Sequence, residues 1–306
     1  MRLSRTLALG ASLLVLASAC TTGEGSKPTI KIGSDGFYES KLVAEMYAQV
    51  LEAAGYTVER SLGLGPRAVT SPALESGQFD LKPEYIGSGL GYYDKTKTSS
   101  DSDANKAALQ EILATKGGGI TVLDYSPGED TNAFVVRADT ATELSLAKMS
   151  DLAAVQDDLT WGLPPECETN PLCAGALRDA YGIDFPPAKL EALQACDAPI
   201  AEALDGGAID VAELCSTQPA IAQFGFVVLE DDQGTQPAEN IAPIVRDDFL
   251  AKLSDGDRQA FEKLLNDVSA KLTTEELTTL GVEVAVSNRD VADVAEEWLK
   301  ANGLLS

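Results

Sequence analysis

Thr29 to Gly33 (TIKIG) alternates polar and apolar positions, the period of a strand, and at Glu39 the period changes to that of a helix. Between Glu39 and Ala54, residues Leu42, Val43, Met46, Tyr47, Val50 and Leu51 fall on one helical face, and Gly55 closes the element. The exchange of periods continues along the chain. Strands are predicted over 56–62, 79–86, 121–125, 132–137, 209–214 and 225–229, with an apolar extended segment over 240–246. Helices are predicted over 69–76, with Ser71 as cap and Pro72 in the first turn, over 103–115 ahead of Gly117, and over 174–181 and 199–204. Beyond 246 the chain turns helical, through 258–271, 274–280 and 291–301.

Within this alternation the residues Ala73 to Asp80 (ALESGQFD) return almost in pattern at Ala203 to Asp210 (ALDGGAID). Each copy reads as a helix ending in Gly, followed by a short apolar strand whose neighbour is Asp. Helix, Gly and strand recur in any α/β protein, so the echo gains its weight from the rest of the chain. Taken with it, the echo predicts two similar α/β lobes and a cleft between them. Asp80 and Asp210 could be paired catalytic carboxylates, but their equivalent places favour a structural role at the strand ends.

The N-terminus predicts where the protein works. Arg2 and Arg5 precede an apolar run, Leu7 to Leu16, too short to span a bilayer, and Ala17, Ser18 and Ala19 lead to Cys20. Residues 1–19 are thus an export signal. Its end at a Cys resembles the bacterial lipoprotein pattern, in which that Cys is acylated after cleavage. Ala17 stands where the commonest pattern has Leu, with Leu16 one step early. An ordinary secretory signal with a chance Cys is the alternative. Thr21 to Lys27 (TTGEGSK) is small and polar, as suits the tether expected over 20–28. The expected location is the extracytoplasmic face of the cell membrane, held there by lipid.

Cysteine usage fits an oxidising compartment. Of five Cys, Cys20 is spoken for, which leaves Cys167, Cys173, Cys196 and Cys215 for two disulfides. Cys167 and Cys173 bracket ETNPL, whose Pro171 suits a tight loop, and Cys196 then pairs with Cys215. Without a CxxC pair or any His, no zinc site is expected. The net charge of -25 repels nucleic acid and anionic lipid heads, and no segment after the signal is apolar enough to cross a membrane.

Motifs for catalysis are missing. There is no GxSxG, HExxH, Walker loop or GxGxxG, and the absence of His removes the usual nucleophile and base pairs. Asp101, Asp103 and Asn105 mimic the start of a calcium loop, but Lys106 and Ile112 stand where Gly and Glu are needed, so these residues read as a helix cap. Neither an enzyme nor a cofactor is expected. An exported, two-lobed chain without catalytic groups points to capture of a solute by closure of the lobes.

Four segments carry a family resemblance: IKIGSDGF (Ile30 to Phe37), YTVERSLGLGPRAVTSPALESGQFDLKPEYIGSGL (Tyr56 to Leu90), EDTNAFVV (Glu129 to Val136) and LEDDQGTQPAENIAPIVR (Leu229 to Arg246). Together they resemble the substrate-binding proteins of osmoprotectant ABC importers, which bind glycine betaine, choline, carnitine or related quaternary ammonium compounds. The resemblance runs in order from about Thr29 to Leu304. It implies a type II periplasmic-binding-protein fold, two α/β lobes joined by two hinge strands around a central cleft, with residues 29–131 and 239–306 as lobe one and 132–238 as lobe two. It also implies membrane partners, the permease and ATPase subunits of an importer.

A quaternary ammonium has no proton to donate, so such sites hold it against aromatic faces by cation-π attraction, and basic side chains take a betaine's carboxylate. By the resemblance, Tyr85 matches a cage tyrosine, Ser88 a small hydroxyl three places on, and Asp130 the acid ahead of a strand. Asn132, Cys215 and Glu239 stand where family members carry aromatics. Asp35 and Asn170 stand where betaine binders carry Lys and Arg. Phe37, Tyr38, Tyr92, Tyr93 and Tyr125 could supply aromatic surface instead. Since strand ends border the crevice in such sheets, Thr217 and Gln218 after the second echoed strand join the expected polar contacts. The resulting cleft is polar and acidic, which suits a hydroxyl-bearing or cationic solute. Choline or a betaine comes first. The alternatives are a neutral polyol or sugar-like compound, another cation, or a surface or sensory lipoprotein that does not transport.

Overall fold

A computed structural model of the chain describes residues 27–165, 167–184, 187–196 and 198–306. The export signal and Cys20 lie outside these residues. The strands are β1 (Ile30–Gly33), β2 (Val58–Ser61), β3 (Leu81–Tyr85), β4 (Ile120–Val122), β5 (Asn132–Val136), β6 (Trp161–Leu163), β7 (Leu190–Ala192), β8 (Val211–Cys215), β9 (Val227–Val228) and β10 (Ile241–Arg246). They form two five-stranded sheets, ordered β2-β1-β3-β10-β4 and β7-β6-β8-β5-β9. In the first, β1 is parallel to β2 and β3, while β10 is antiparallel to β3 and β4. In the second, β6 is parallel to β7 and β8, while β5 is antiparallel to β8 and β9. The two sheets therefore share one topology. Each lobe borrows its antiparallel strand from the segment that has just crossed from the other. The crossings pair through an antiparallel bridge between Glu129 and Asn240 and a 3.1 Å bond from the Asp130 N–H to the Glu239 carbonyl.

The echoed octapeptides do the same work in both lobes. In each, the helix closes on a glycine of positive φ, Gly77 (76°) and Gly207 (72°), a backbone state that costs a residue with Cβ. Asp80 then accepts the Lys31 N–H at 3.0 Å, at the start of β1, and Asp210 accepts the Thr160 N–H at 2.9 Å, just before β6. An arginine completes each clamp. Arg246 donates to the Leu74 and Glu75 carbonyls at 2.9 and 2.7 Å, and Arg137 donates to the Leu204 and Ile209 carbonyls at 2.9 and 2.6 Å. The carboxylates are structural, as their repetition predicts.

Apolar packing covers both faces of each sheet. On one face of the first, Leu42, Met46 and Tyr47 of helix Tyr38–Ala53 meet Phe261, Leu265 and Trp298 of the C-terminal helices. On its other face Phe79, Ile86, Leu90, Leu109 and Leu113 cluster. The second sheet lies between a cluster around Trp161, Phe134 and Leu177 and one around Ile200, Leu204 and Ile209.

Several elements differ from their sequence-based expectation. The second helix runs Arg67–Glu75 with Pro66 as its cap, because the N–H groups of Val69 and Thr70 bond to the Pro66 carbonyl at 2.8 and 3.2 Å. Ser71 is consequently a buried mid-helix residue rather than a cap, and Pro72 lies inside the helix. The strand expected over 79–86 is only Leu81–Tyr85, and helix Ile86–Tyr93 comes directly after it. Glycines hid that helix, since they are poor helix formers. They are there for contact: a Cβ on Gly87 would sit 2.5 Å from the Ala238 carbonyl oxygen, and one on Gly89 would sit 2.8 Å from Glu84 Cγ. β6 and β7, of three residues each, and the short helices Ala138–Leu144 and Pro219–Phe224 carry too few residues to display a period.

Alternation along β3 puts Lys82 and Glu84 on the face opposite Leu81 and Tyr85, and all of these are buried. Lys82 Nζ lies 2.9 Å from Asp35, 3.1 Å from Glu84 and 3.0 Å from the Thr70 hydroxyl. Arg67 donates to the other Glu84 oxygen at 2.9 Å. Burial would raise the Glu84 pKa, but Lys82 and then Arg67 outweigh it and hold the carboxyl below its ordinary range. Replacing Lys82 by Met would leave buried Asp35 without its cation and Glu84 with Arg67 alone, so we expect a loss of about 3 to 5 kcal/mol in urea unfolding. The partly exposed Arg67 should cost less on the same substitution. A Lys82→Met loss below about 1 kcal/mol would contradict this reading of the network.

Candidate functional site

Both echoed strands end at the crevice between the lobes. Tyr85 pairs there with Ile241 and Cys215 with Asn132, the first residues of the strands returning from the two crossings. On the lobe-one side, β1 leads through Phe37, whose extended backbone caps the helix, into Tyr38 and Glu39 of the first turn of helix Tyr38–Ala53. On the lobe-two side, β8 leads through Thr217 and Gln218 into helix Pro219–Phe224, which opens on proline. These turns, with Asp130 from the first crossing, enclose a cavity of about 600 Å³. Phe224, the Cys196–Cys215 disulfide and Glu202 complete the far wall, and Ala285 and Val286 lie at its edge.

The cavity is acidic, lined by Glu39, Asp130 and Glu202. Glu39 is buried; one carboxylate oxygen accepts the Tyr85 hydroxyl, and Oε2 has no hydrogen-bond partner. Burial first, then the charge of Asp130, pushes the Glu39 carboxyl up to about 8, against the opposing pull of the Tyr85 hydrogen bond and of nearby Thr217. Burial likewise raises Asp130, opposed by Thr217, whose N–H lies 3.4 Å from its Oδ1. The hydroxyl of Tyr38 crosses between lobes to donate to the Thr217 carbonyl at 3.2 Å. Burial, then Glu39 and Asp130, raises both Tyr38 and Tyr85 well above the ordinary phenol range, so both are neutral donors. Among its described lining the cavity has no Lys or Arg.

Of the residues expected to contact solute, Phe37, Asp130, Thr217 and Gln218 line this cavity together. Tyr85 backs them, its ring centroid 5.6 Å from that of Phe37 at 47°. The rest lie elsewhere. Asp35 is turned into lobe one, bonded to Lys82 and Thr70. Glu239 accepts the Ser88 N–H and hydroxyl, both at 2.8 Å, at the start of helix Ile86–Tyr93; burial pushes its carboxyl up to about 7. Asn132 lies 3.3 Å from Gln236 and lines a smaller cavity of about 220 Å³ beside the crossings. Glu39 was missed, because an acid in a helix's first turn reads as a favourable dipole partner. Its position directly after two aromatics at a strand-to-helix turn was the available signal.

Both disulfides form as the cysteine spacing predicts, with Cα separations of 5.1 Å for Cys167–Cys173 and 5.0 Å for Cys196–Cys215. Cys167, Cys173 and Glu213 come within 4.8 Å of one another, but both sulfurs are in the disulfide and offer no thiolate to a metal. Cys196–Cys215 fixes the loop before helix Ala198–Asp205 to the end of β8, and so fixes that wall of the cavity.

A two-lobed α/β fold with a solute-sized crevice at the strand ends is the architecture of a solute-binding protein. Residues 28–301 match the OpuAC family, the substrate binding domain of ABC-type glycine betaine transport systems, and the chain belongs to that family. It is thus a transport substrate-binding protein, not an enzyme. It is similar to the glycine betaine-binding protein YehZ of Escherichia coli K12, 27% identical over 95% of this chain and 96% of that one. The carnitine transport binding protein OpuCC of Listeria monocytogenes is 28% identical, over 95% and 93%. The crystal structure of a glycine betaine/carnitine/choline ABC transporter protein superposes with a TM-score of 0.82 at 24% identity, covering 90% of this chain and all of that one. Apo YehZ from Escherichia coli gives 0.79 at 25%, covering 90% and 99%.

A carboxyl held protonated beyond its ordinary range stabilises the fold at low pH and ceases to do so as pH rises through its folded pKa. For Glu39 that window runs from about 4.5 to about 8. Solute-free protein should therefore lose stability relative to Glu39→Gln as pH rises from 5 to 8, read as a widening gap in melting temperature. A gap that does not change with pH would show that Glu39 is not desolvated as described.

Proposed function

We propose that the protein is exported, acylated at Cys20 and held at the extracytoplasmic face of the cell membrane, where it captures an osmoprotectant-type solute and delivers it to an ABC permease and its ATPase. Residues 1–19 are the signal and 20–28 the tether. Lobe one takes 29–131 and 239–306, and lobe two 132–238. Solute enters the crevice between them, and the lobes close on it about the paired crossings at Glu129 and Asn240. The observation that carries this reading is the composition of the interlobe cavity, aromatic at Phe37, Tyr38 and Phe224 and carboxylic at Glu39 and Asp130, which suits a quaternary ammonium group. The family membership and the full-length similarity to glycine betaine and carnitine binding proteins support the solute class. The small polar segment before Lys27 and the residues leading to Cys20 support the anchor. Among the described residues no helix is long and apolar enough to cross a membrane.

Two measurements test it. Mass spectrometry of the native N-terminus should find Cys20 as the first residue carrying acyl chains, more than one because a single chain anchors weakly. Cleavage elsewhere, or an unmodified Cys20, removes the anchor from the account. In a thermal-shift screen a quaternary ammonium solute at a hundredfold its dissociation constant should add about 2.7 kcal/mol. Stabilisation by polyols or sugars alone would reassign the solute class.

A further inference from the structure

The wall of the interlobe cavity does not match a zwitterion. A betaine or carnitine brings its own carboxylate, which in a desolvated site needs a base, and here Glu39, Asp130 and Glu202 are met by no Lys or Arg among the described lining. Glu39 is 2% exposed, lines the cavity, and leaves Oε2 without a hydrogen bond. A buried acceptor left open beside a second carboxyl is costly unless something positive or protic meets it. The groups that face the pair are Tyr38 from Glu39's own helix, Tyr85 from the end of β3, and Thr217 from lobe two; all are neutral donors. The described lining supplies no counter-charge, so protons or a solute must.

Resting on the reading that solute binds in this cavity, we infer that Glu39 and Asp130 form one cation site, selective for solutes with net positive charge and no carboxylate, and that the arriving cation displaces a proton from the pair to solvent. Charge balances in this exchange: one positive charge enters and up to one leaves. Phe37 and Phe224 supply apolar and cation-π contact for the alkyl groups around the charge, while Oε2 of Glu39 accepts from a hydroxyl or N–H of the solute. Choline has the required features, and glycine betaine lacks them. Because the pair must be ionised to receive the cation, affinity rises with pH towards the upper end of the Glu39 range, about 8.

The test is calorimetric titration of the mature protein with choline, glycine betaine, carnitine and the diamine putrescine, each in two buffers of different ionisation enthalpy at pH 7. Choline should bind at least about tenfold tighter than either zwitterion, a difference of about 1.4 kcal/mol, and should release a measurable fraction of a proton. Glu39→Gln and Asp130→Asn should each weaken choline at least about tenfold and reduce the release, with circular dichroism unchanged. If either variant fails to fold, the buffer dependence of the unsubstituted protein still decides the matter. Glycine betaine or carnitine binding as tightly as choline, or choline binding with no proton exchange, would overturn the inference and leave solute capture intact. Putrescine binding above choline would keep the cation site and remove the quaternary ammonium assignment. No binding by any of the four at millimolar concentration would overturn both.

Discussion

Everything at the crevice depends on a clamp formed twice at its far side. In each lobe an aspartate holds the chain at the start of a neighbouring strand, Asp80 at Lys31 and Asp210 at Thr160, while an arginine at the end of the antiparallel strand, Arg246, or directly after it, Arg137, closes carbonyls of the helix before the aspartate. Such charge-assisted bonds to backbone are stronger and better defined in geometry than contacts between neutral groups. With their starts fixed, β3 and β8 deliver Tyr85 and Cys215 to the crevice in fixed register against Ile241 and Asn132. The lobes are two copies of one solution. They differ in the residues just past each strand: a glycine-rich helix start in lobe one, and Ser, Thr and Gln after Cys215 in lobe two.

That difference divides the labour between the lobes. Lobe one contributes aromatic surface and the Glu39 carboxyl from the start of a long, deeply packed helix, so these groups are presented on a rigid element. Lobe two contributes a wall braced by the Cys196–Cys215 disulfide and a turn that reaches Asp130 and Tyr38 through Thr217. The Tyr38 bond joins the two across the crevice. It is a contact whose length depends on the angle between the lobes, which makes it a local reporter of closure.

The chain announced its architecture more readily than its chemistry. Periodicity revealed the long helices, the echo revealed the duplicated lobe, and the cysteine spacing gave both bridges, because each of these is a local pattern. The clamps were half legible: the aspartates stood out by repetition, but Arg246 and Arg137 act on residues far away in sequence. The acids of the site were the hardest to sort. Asp35 and Glu239 look as available to a solute as Glu39 does, yet the fold brings Lys82 to the first and Ser88 to the second, 47 and 151 residues distant. Spacing cannot reveal such partners, and only the partners decide which carboxyl faces the crevice.

The most direct test is a crystal structure of the mature protein grown with choline. The account predicts the ammonium group in the interlobe cavity, within about 6 Å of an aromatic ring centroid and beside Glu39 and Asp130, with its hydroxyl on the Glu39 carboxylate. Choline found instead in the smaller cavity beside Asn132, or seated against Glu239 with the Glu39 pocket empty, would contradict it.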